Sequence, residues 1–236
     1  MASKKALYED ESKKVFETDA DDQLMLSFTD TIISLDGKKK GKMRGKGNIN
    51  NAIAAHLFEY LESFHIRTHF ISKINEREMQ IRKTEKIPIS VKINNFATAD
   101  LTKRFGFEKN ATLPVPVVEY YYEQEKLNNP VINDTHAASL GIASEDDMRT
   151  IMHDSLKINA LLKPFFERRN INLVGLTLSF GKYKGRIVLT SAIIPDTCHL
   201  WDLDTSDNLD RARYDGELAK VSDAYKEVFA RIIGEN

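Results

Sequence analysis

Short runs in which apolar and polar residues alternate fill the start of the chain. The runs over 14–18 and 23–28 flank an acidic turn, Asp19-Ala20-Asp21-Asp22. A period of two on both sides of a turn predicts an antiparallel hairpin over 7–28. The pattern then changes. After the turn-rich Asp36-Gly37-Lys38-Lys39-Lys40-Gly41-Lys42 and Gly45-Lys46-Gly47, the apolar residues Ile53, Leu57, Tyr60 and Leu61 recur at helical spacing, which predicts a helix over 50–64 with Asn48 as its N-cap. Strands are predicted over 68–74, 79–84 and 90–95, with Pro88 breaking the last two apart. The segment 97–133 holds a short helix, a rigid Leu113-Pro114-Val115-Pro116 turn and an aromatic strand over 117–122. Ser144, followed by Glu145, Asp146 and Asp147, is an N-cap with acids in the first turn of a long helix reaching about Arg169. A hairpin over 173–180 and 186–194 and an amphipathic helix over 218–233 complete an α+β chain.

The length of 236 residues, 42% of them hydrophobic, is enough for one large domain or two lobes around a cleft, and 1–85 and 86–236 are the expected lobes. Lys and Arg number 34 against 35 Asp and Glu, so no global field draws the chain to nucleic acid or to an anionic membrane. Any anion site has to be built locally. The start Met-Ala-Ser-Lys-Lys does not read as a signal peptide, and the single cysteine, Cys198, forms no internal disulfide; both fit a cytoplasmic protein.

Three segments carry candidate chemistry. The lysine-rich glycine loop reads first as a solvated basic turn and second as a phosphate cradle, and its spacing is not that of a P-loop. His65 and His69 have metal-ligand spacing, but the Thr68-His69-Phe70-Ile71 strand pattern ends the helix between them. The segment Pro195-Asp196-Thr197-Cys198-His199-Leu200-Trp201-Asp202 follows a buried strand, where loops tend to carry function. A Cys198/His199 nucleophilic pair is rejected, because neighbours on an extended chain point to opposite sides.

Taken together, several co-linear segments resemble the phosphoribosylaminoimidazole-succinocarboxamide synthase (SAICAR synthetase) family. They are Leu7-Tyr8-Glu9 with Lys13-Lys14-Val15-Phe16-Glu17-Thr18, Gly45-Lys46-Gly47 with Asn50-Asn51-Ala52-Ile53, Leu101-Thr102-Lys103-Arg104-Phe105-Gly106, Val118-Glu119-Tyr120-Tyr121-Tyr122, Asn133 with His136, Phe180-Gly181, Pro195-Asp196-Thr197-Cys198, Leu200-Trp201-Asp202 and Ala224-Tyr225. The resemblance implies a two-lobed α+β fold of antiparallel sheets with flanking helices, ATP in a cleft between the lobes, and a dimer. It also implies a reaction that joins aspartate to the carboxylate of carboxyaminoimidazole ribonucleotide with ATP and magnesium.

Ligand positions depart from the family pattern. Tyr8-Glu9-Asp10-Glu11-Ser12-Lys13 stands for Tyr-x-Gly-Lys-Ala-Lys, Pro88-Ile89-Ser90 for Pro-x-Glu, and Asn94 to Asp100 for Arg-Asn-x-Ala-Ala-Gly-Ser. Gly175-Leu176-Thr177-Leu178-Ser179-Phe180-Gly181 stands for Asp-Phe-Lys-Leu-Glu-Phe-Gly, and Ser191-Ala192-Ile193-Ile194-Pro195-Asp196 for Asp-Glu-Ile-Ser-Pro-Asp, so the acids expected to hold magnesium are Ser179 and Ser191. His199 replaces an arginine. The expectation from these losses is a diverged member with impaired or lost Mg-ATP ligation, acting as a pseudoenzyme, as a regulatory subunit paired with a homologue, or on an altered nucleotide-like ligand. With those acids replaced, no metal site and no cofactor is assigned to it. The alternative is an active synthase using ATP and magnesium. In either case Lys13, Lys46, Arg104, Asn133, His136, Asp196, Arg211 and Arg213 are the candidate cleft residues. The expected partners are a second copy of the chain or a homologue, and neither nucleic acid nor membrane.

Overall fold

A computed structural model describes residues 6–10 and 12–234. Two antiparallel sheets organise them. The first is assembled from β1 (Tyr8–Glu9), β2 (Lys13–Glu17) and β3 (Gln23–Phe28), which form the N-terminal meander. A short ribbon of β4 (Thr31–Ile33) and β5 (Lys40–Lys42) leads into helix α1 (Lys46–Ser63). The chain then returns as β6 (Phe70–Lys73) and β7 (Glu78–Arg82), giving the five-stranded order β1-β2-β3-β7-β6. Helix α1 packs on this sheet through Ile53, Leu57, Phe58 and Leu61, all buried.

The second sheet begins with β8 (Glu85–Phe96), followed by α2 (Ala99–Phe105), β9 (Thr112–Tyr122), β10 (Val131–Ile132), α3 (Asp134–Ser139) and α4 (Glu145–Glu167). It is completed by β11 (Ile171–Tyr183), β12 (Arg186–Leu189) and β13 (Cys198–Asp202), in the order β10-β9-β8-β11-β12 with β13 on the other part of β11. α4 covers one face of this sheet. The last helix, α5 (Leu218–Ile233), lies against α1. One apolar cluster runs from Leu26, Phe58 and Met79 to Ile93, Leu162 and Phe180, so the two sheets share a continuous core. Among the described residues no helix is long and apolar enough to cross a membrane.

Local signals set several boundaries. Ser144 accepts the Asp147 N–H, and the Asp147 carboxylate accepts the Ser144 N–H, a capping box at the predicted start of α4. α5 has the predicted limits. Other elements differ from the expectation. α1 starts at Lys46 rather than after Asn48: Gly45 takes a left-handed φ of 85°, and the carboxylate that accepts the Gly47 N–H at 3.0 Å belongs to Asp30, in the loop after β3. β8 runs unbroken through Pro88, because its ladder with β11 is irregular between the Ser179 and Gly181 pairs and asks no N–H of the proline. Likewise Pro114 and Pro116 lie inside β9, within the irregular stretch between the Asn94–Val117 and Phe96–Thr112 pairs. The strand predicted over 186–194 stops at Leu189, and 191–197 form an irregular, mostly buried loop.

The β8–β11 pair leaves no room at Gly175. A Cβ there would meet the Ile93 carbonyl oxygen at 2.7 Å and Asn94 Oδ1 at 3.1 Å. Gly175→Ala is therefore expected to cost about 1–3 kcal/mol through forced backbone displacement. Thermal unfolding checks this, and an unchanged Tm would show slack in the strand pair.

Candidate functional site

Register determines what faces the cleft. In β8 the residues Ile87, Ile89, Val91 and Ile93 point into the core, so Lys86, Pro88, Ser90, Lys92 and Asn94 share the opposite face. On β11 the partners of Asn94, Lys92, Ser90 and Lys86 are Gly175, Thr177, Ser179 and Gly181. A polar trough results along two strands. Its middle is an open groove of about 830 Å³ that includes Ser90, Lys92, Asp100, Glu123 and Thr177. A cavity of about 350 Å³ at one end shares Lys86 and Glu123 with the groove, and one of about 430 Å³ at the other end shares Lys92, Asp100 and Thr177. Positions that depart from the family pattern, Ser90, Asn94, Gly175, Thr177, Ser179 and Ser191, thus line a single surface.

The 350 Å³ cavity has one apolar wall, with Val15, Leu24, Ile81 and Phe180, and one polar wall. Lys13 lines it from β2. Its neighbour Asp10 is occupied by its own turn, accepting N–H groups from Ser12 and Lys13 and the Ser12 hydroxyl. The Asp10 carboxylate is thus engaged by its own turn, and Glu11, the other acid that departs from the family pattern there, lies outside the described residues. Lys86 Nζ is 2.7 Å from Glu123 Oε2, the Ser179 hydroxyl donates to Glu123 Oε1 at 3.4 Å, and the Ser179 N–H donates to the Ser191 hydroxyl at 3.0 Å. His69 also lines this cavity, buried, with Nε2 lacking a partner and the Phe58 ring tilted against it at 5.5 Å. Burial first, then the charges of Lys13 and Arg82, push its pKa down to about 3, so the ring is neutral.

At the far end, buried charges brace the 430 Å³ cavity. Lys46 is 0% exposed and its Nζ is 2.8 Å from Asp196 Oδ1; Asn50 donates to Asp196 Oδ2 at 2.7 Å. Lys46 is thus a brace beneath the site and not a phosphate cradle. Lys46 Nζ is 6.0 Å from the centre of the ring of Tyr225, whose hydroxyl has its pKa raised well above normal by burial and by Asp196 and Asp210. Asp210, also buried, takes the Leu200 N–H at 2.6 Å and His199 Nδ1 at 2.7 Å, which orients the imidazole at the cavity edge. Arg211 lines the cavity with a buried Nε that has no partner. The Cys198 thiol is pushed up to about 12 by burial and is inert, in line with rejecting it as a nucleophile.

The remaining candidates take structural roles. Arg104 is held by Asp100, which lines the groove, at 2.9 Å and by Glu119 at 2.6 Å. Asn133 and His136 form the capping box of α3 and line none of these cavities. Arg213 donates to the Asn208 carbonyl at 3.1 Å. The side chains missed by the sequence reading are Lys86, Lys92 and Glu123, and His69 was weighed there only for metal-ligand spacing. Lys86 and Lys92 had a visible signal, since each interrupts an otherwise apolar β8 at the spacing of one face.

The donor set does not suit a protein-held divalent cation. Among the described residues no three His, Cys, Asp or Glu side chains cluster at metal-binding distance, and the carboxylates of the nucleotide-sized cavity, Asp10 and Glu123, are already bonded.

An antiparallel two-lobed α+β frame with a polar trough along β8 and β11 defines the class. The chain belongs to the SAICAR synthetase family, whose model matches residues 6–232. Phosphoribosylaminoimidazole-succinocarboxamide synthases of Chlorobium luteolum and Clostridium kluyveri are each 40% identical to it, over 97% and 98% of this chain and 95% and 99% of their own. The crystal structure of the synthase from Ehrlichia chaffeensis superposes with a TM-score of 0.92 at 33% identity, covering 98% of this chain and 100% of that one. A SAICAR synthetase in complex with ADP superposes with a TM-score of 0.91 at 38% identity, covering 97% and 98%. These relatives overturn the expectation of a pseudoenzyme. That expectation counted charges lost at motif positions, whereas the register brings Lys86 and Lys92 to the same trough face.

Proposed function

We propose that the protein is an active SAICAR synthetase, an ATP-dependent ligase that joins L-aspartate to the carboxylate of carboxyaminoimidazole ribonucleotide. Identity of 40% along nearly the whole of both chains with proteins of that name carries the reading. The nucleotide occupies the 350 Å³ cavity, its base against Val15, Leu24 and Phe180 and its phosphates toward Lys13 and Lys86. The ribonucleotide occupies the 430 Å³ cavity, where Lys92 and Arg211 meet its phosphate and His199 borders it. The open groove between them lets the terminal phosphoryl group reach the carboxylate. ADP leaves, the aspartate amine attacks the acyl phosphate, and inorganic phosphate departs as the amide forms. Strands of one sheet end at Arg82 and those of the next begin at Glu85, in support of lobes at 1–85 and 86–236. A cytoplasmic dimer is the assembly in which we place it.

ADP release is expected only when aspartate and carboxyaminoimidazole ribonucleotide are both present. Arg211→Ala should lower kcat/KM for the ribonucleotide by about 10²-fold, the scale of one lost charged contact to the reacting ligand. No ADP release from the wild-type protein under any combination of substrates would overturn the assignment.

A further inference from the structure

Among the described residues, the nucleotide cavity contains hydroxyls, ammonium groups and two carboxylates, Asp10 and Glu123, and neither of these carboxylates is free. Asp10 is tied to backbone N–H groups, and Glu123 bonds Lys86 and the Ser179 hydroxyl. Ser179, Thr190 and Ser191 supply neutral oxygens, which are weak ligands for a hard cation. The Lys86–Glu123 pair is solvent-accessible, with side chains 66% and 27% exposed, and an ion pair of that kind is held weakly enough for a polyanion to open it. Lys13 lies 3.9 Å from Asp10 and is only loosely engaged.

We infer that this cavity binds the phosphates of its nucleotide with the ammonium groups of Lys13 and Lys86 in place of a protein-coordinated magnesium ion, and that Glu123 competes with the phosphate for Lys86. The inference rests on the nucleotide assignment above. Any magnesium that accompanies the nucleotide is then carried by the phosphates alone. Glu123 acts as a brake on binding: it lies on the polar wall, repels the incoming anion, and holds Lys86 until the phosphate displaces it. A metal-ligand role for Glu123 makes the opposite prediction, because its removal would then weaken the complex.

The test is calorimetric titration of the full chain with ADP, once with magnesium chloride and once with EDTA. The wild-type dissociation constant is expected to change by less than about threefold between the two. Glu123→Gln should tighten ADP binding by about three- to tenfold in both buffers, Lys86→Met should weaken it by about tenfold, and Lys86→Arg should restore most of the loss. Manganese alone, followed by electron paramagnetic resonance, should show no bound ion before ADP is added. A loss of about tenfold or more in wild-type affinity on adding EDTA would overturn the inference. So would weaker binding by Glu123→Gln in magnesium, manganese bound in the absence of nucleotide, or no ADP binding in either buffer. ADP binding that persists in EDTA without any ADP release in the ligation assay would remove the ligase assignment and leave the inference standing.

Discussion

Replacing Lys46 by methionine is expected to lower the unfolding free energy by about 3–5 kcal/mol, because it strands a buried carboxylate that nothing else neutralises. Lys46 and Asn50 project from α1, and Asp196 belongs to the loop that leads into β13, so the contact pins the second sheet's loop to the first sheet's helix. Asn50 would remain as a neutral donor to Asp196, but an amide does not cancel a charge. The matching double replacement, Lys46→Met with Asp196→Leu, should recover a large part of the loss, since removing both charges also removes the cost of burying them. Denaturant unfolding of the wild type, both single variants and the double variant measures the coupling. Losses below about 1 kcal/mol for Lys46→Met would show that water reaches Asp196 and that the pair is no brace. Because Asp196 also lines the ribonucleotide cavity, the single variant should raise KM for that substrate as well.

Acid should destabilise the protein through His69. Its native pKa, about 3, lies below the ordinary imidazole value of 6.5, so the unfolded chain binds a proton that the native ring refuses. Stability from this group is complete above pH 6.5 and falls as the pH drops toward 3, by up to about 1.4 kcal/mol per pH unit. His56, shifted the same way by burial and Arg169, adds to the trend. The carboxylates held below their usual values, Asp30, Asp147 and Asp202, act mainly at lower pH, so the interval from pH 6.5 to 5 reports the histidines. Lys13 and Arg82 are the charged groups facing the ring. Between pH 6.5 and 5 the wild type should lose about 1.6 kcal/mol more than His69→Phe does. Equal losses in the two proteins would mean that the ring is hydrated in the native state or already protonated there. The phenyl ring can keep the tilted contact with Phe58 in the space of the imidazole, so this variant keeps the packing while removing the titration.

Local rules made much of the frame legible. The acidic turn at 19–22, the Ser144 capping box, the Gly-rich turn between β11 and β12 and the amphipathic pattern of α5 each depend on residues a few positions apart, and each is in place. The family also declared itself in the sequence, because motif order survives substitution at individual sites. What the chain does is not legible at that level: Ser90, Asn94, Ser179 and Ser191 read singly as losses, and only the strand register shows Lys86 and Lys92 on the same surface.

For this protein the sequence by itself determined the class of fold, most helix and strand positions and the family, because periodicity, caps and turns are short-range. Tertiary structure decided the rest. Asp30 placed the start of α1 from outside the helix, ladder irregularities let β8 and β9 keep their prolines, and antiparallel register gathered Lys86, Lys92, Thr177 and Ser179 into one trough. Lys46 changed meaning, from a candidate cleft contact to a buried brace, and His69 proved a buried neutral ring, since burial and the charges that face a side chain are set by residues distant in sequence, and these determine its ionisation and its role.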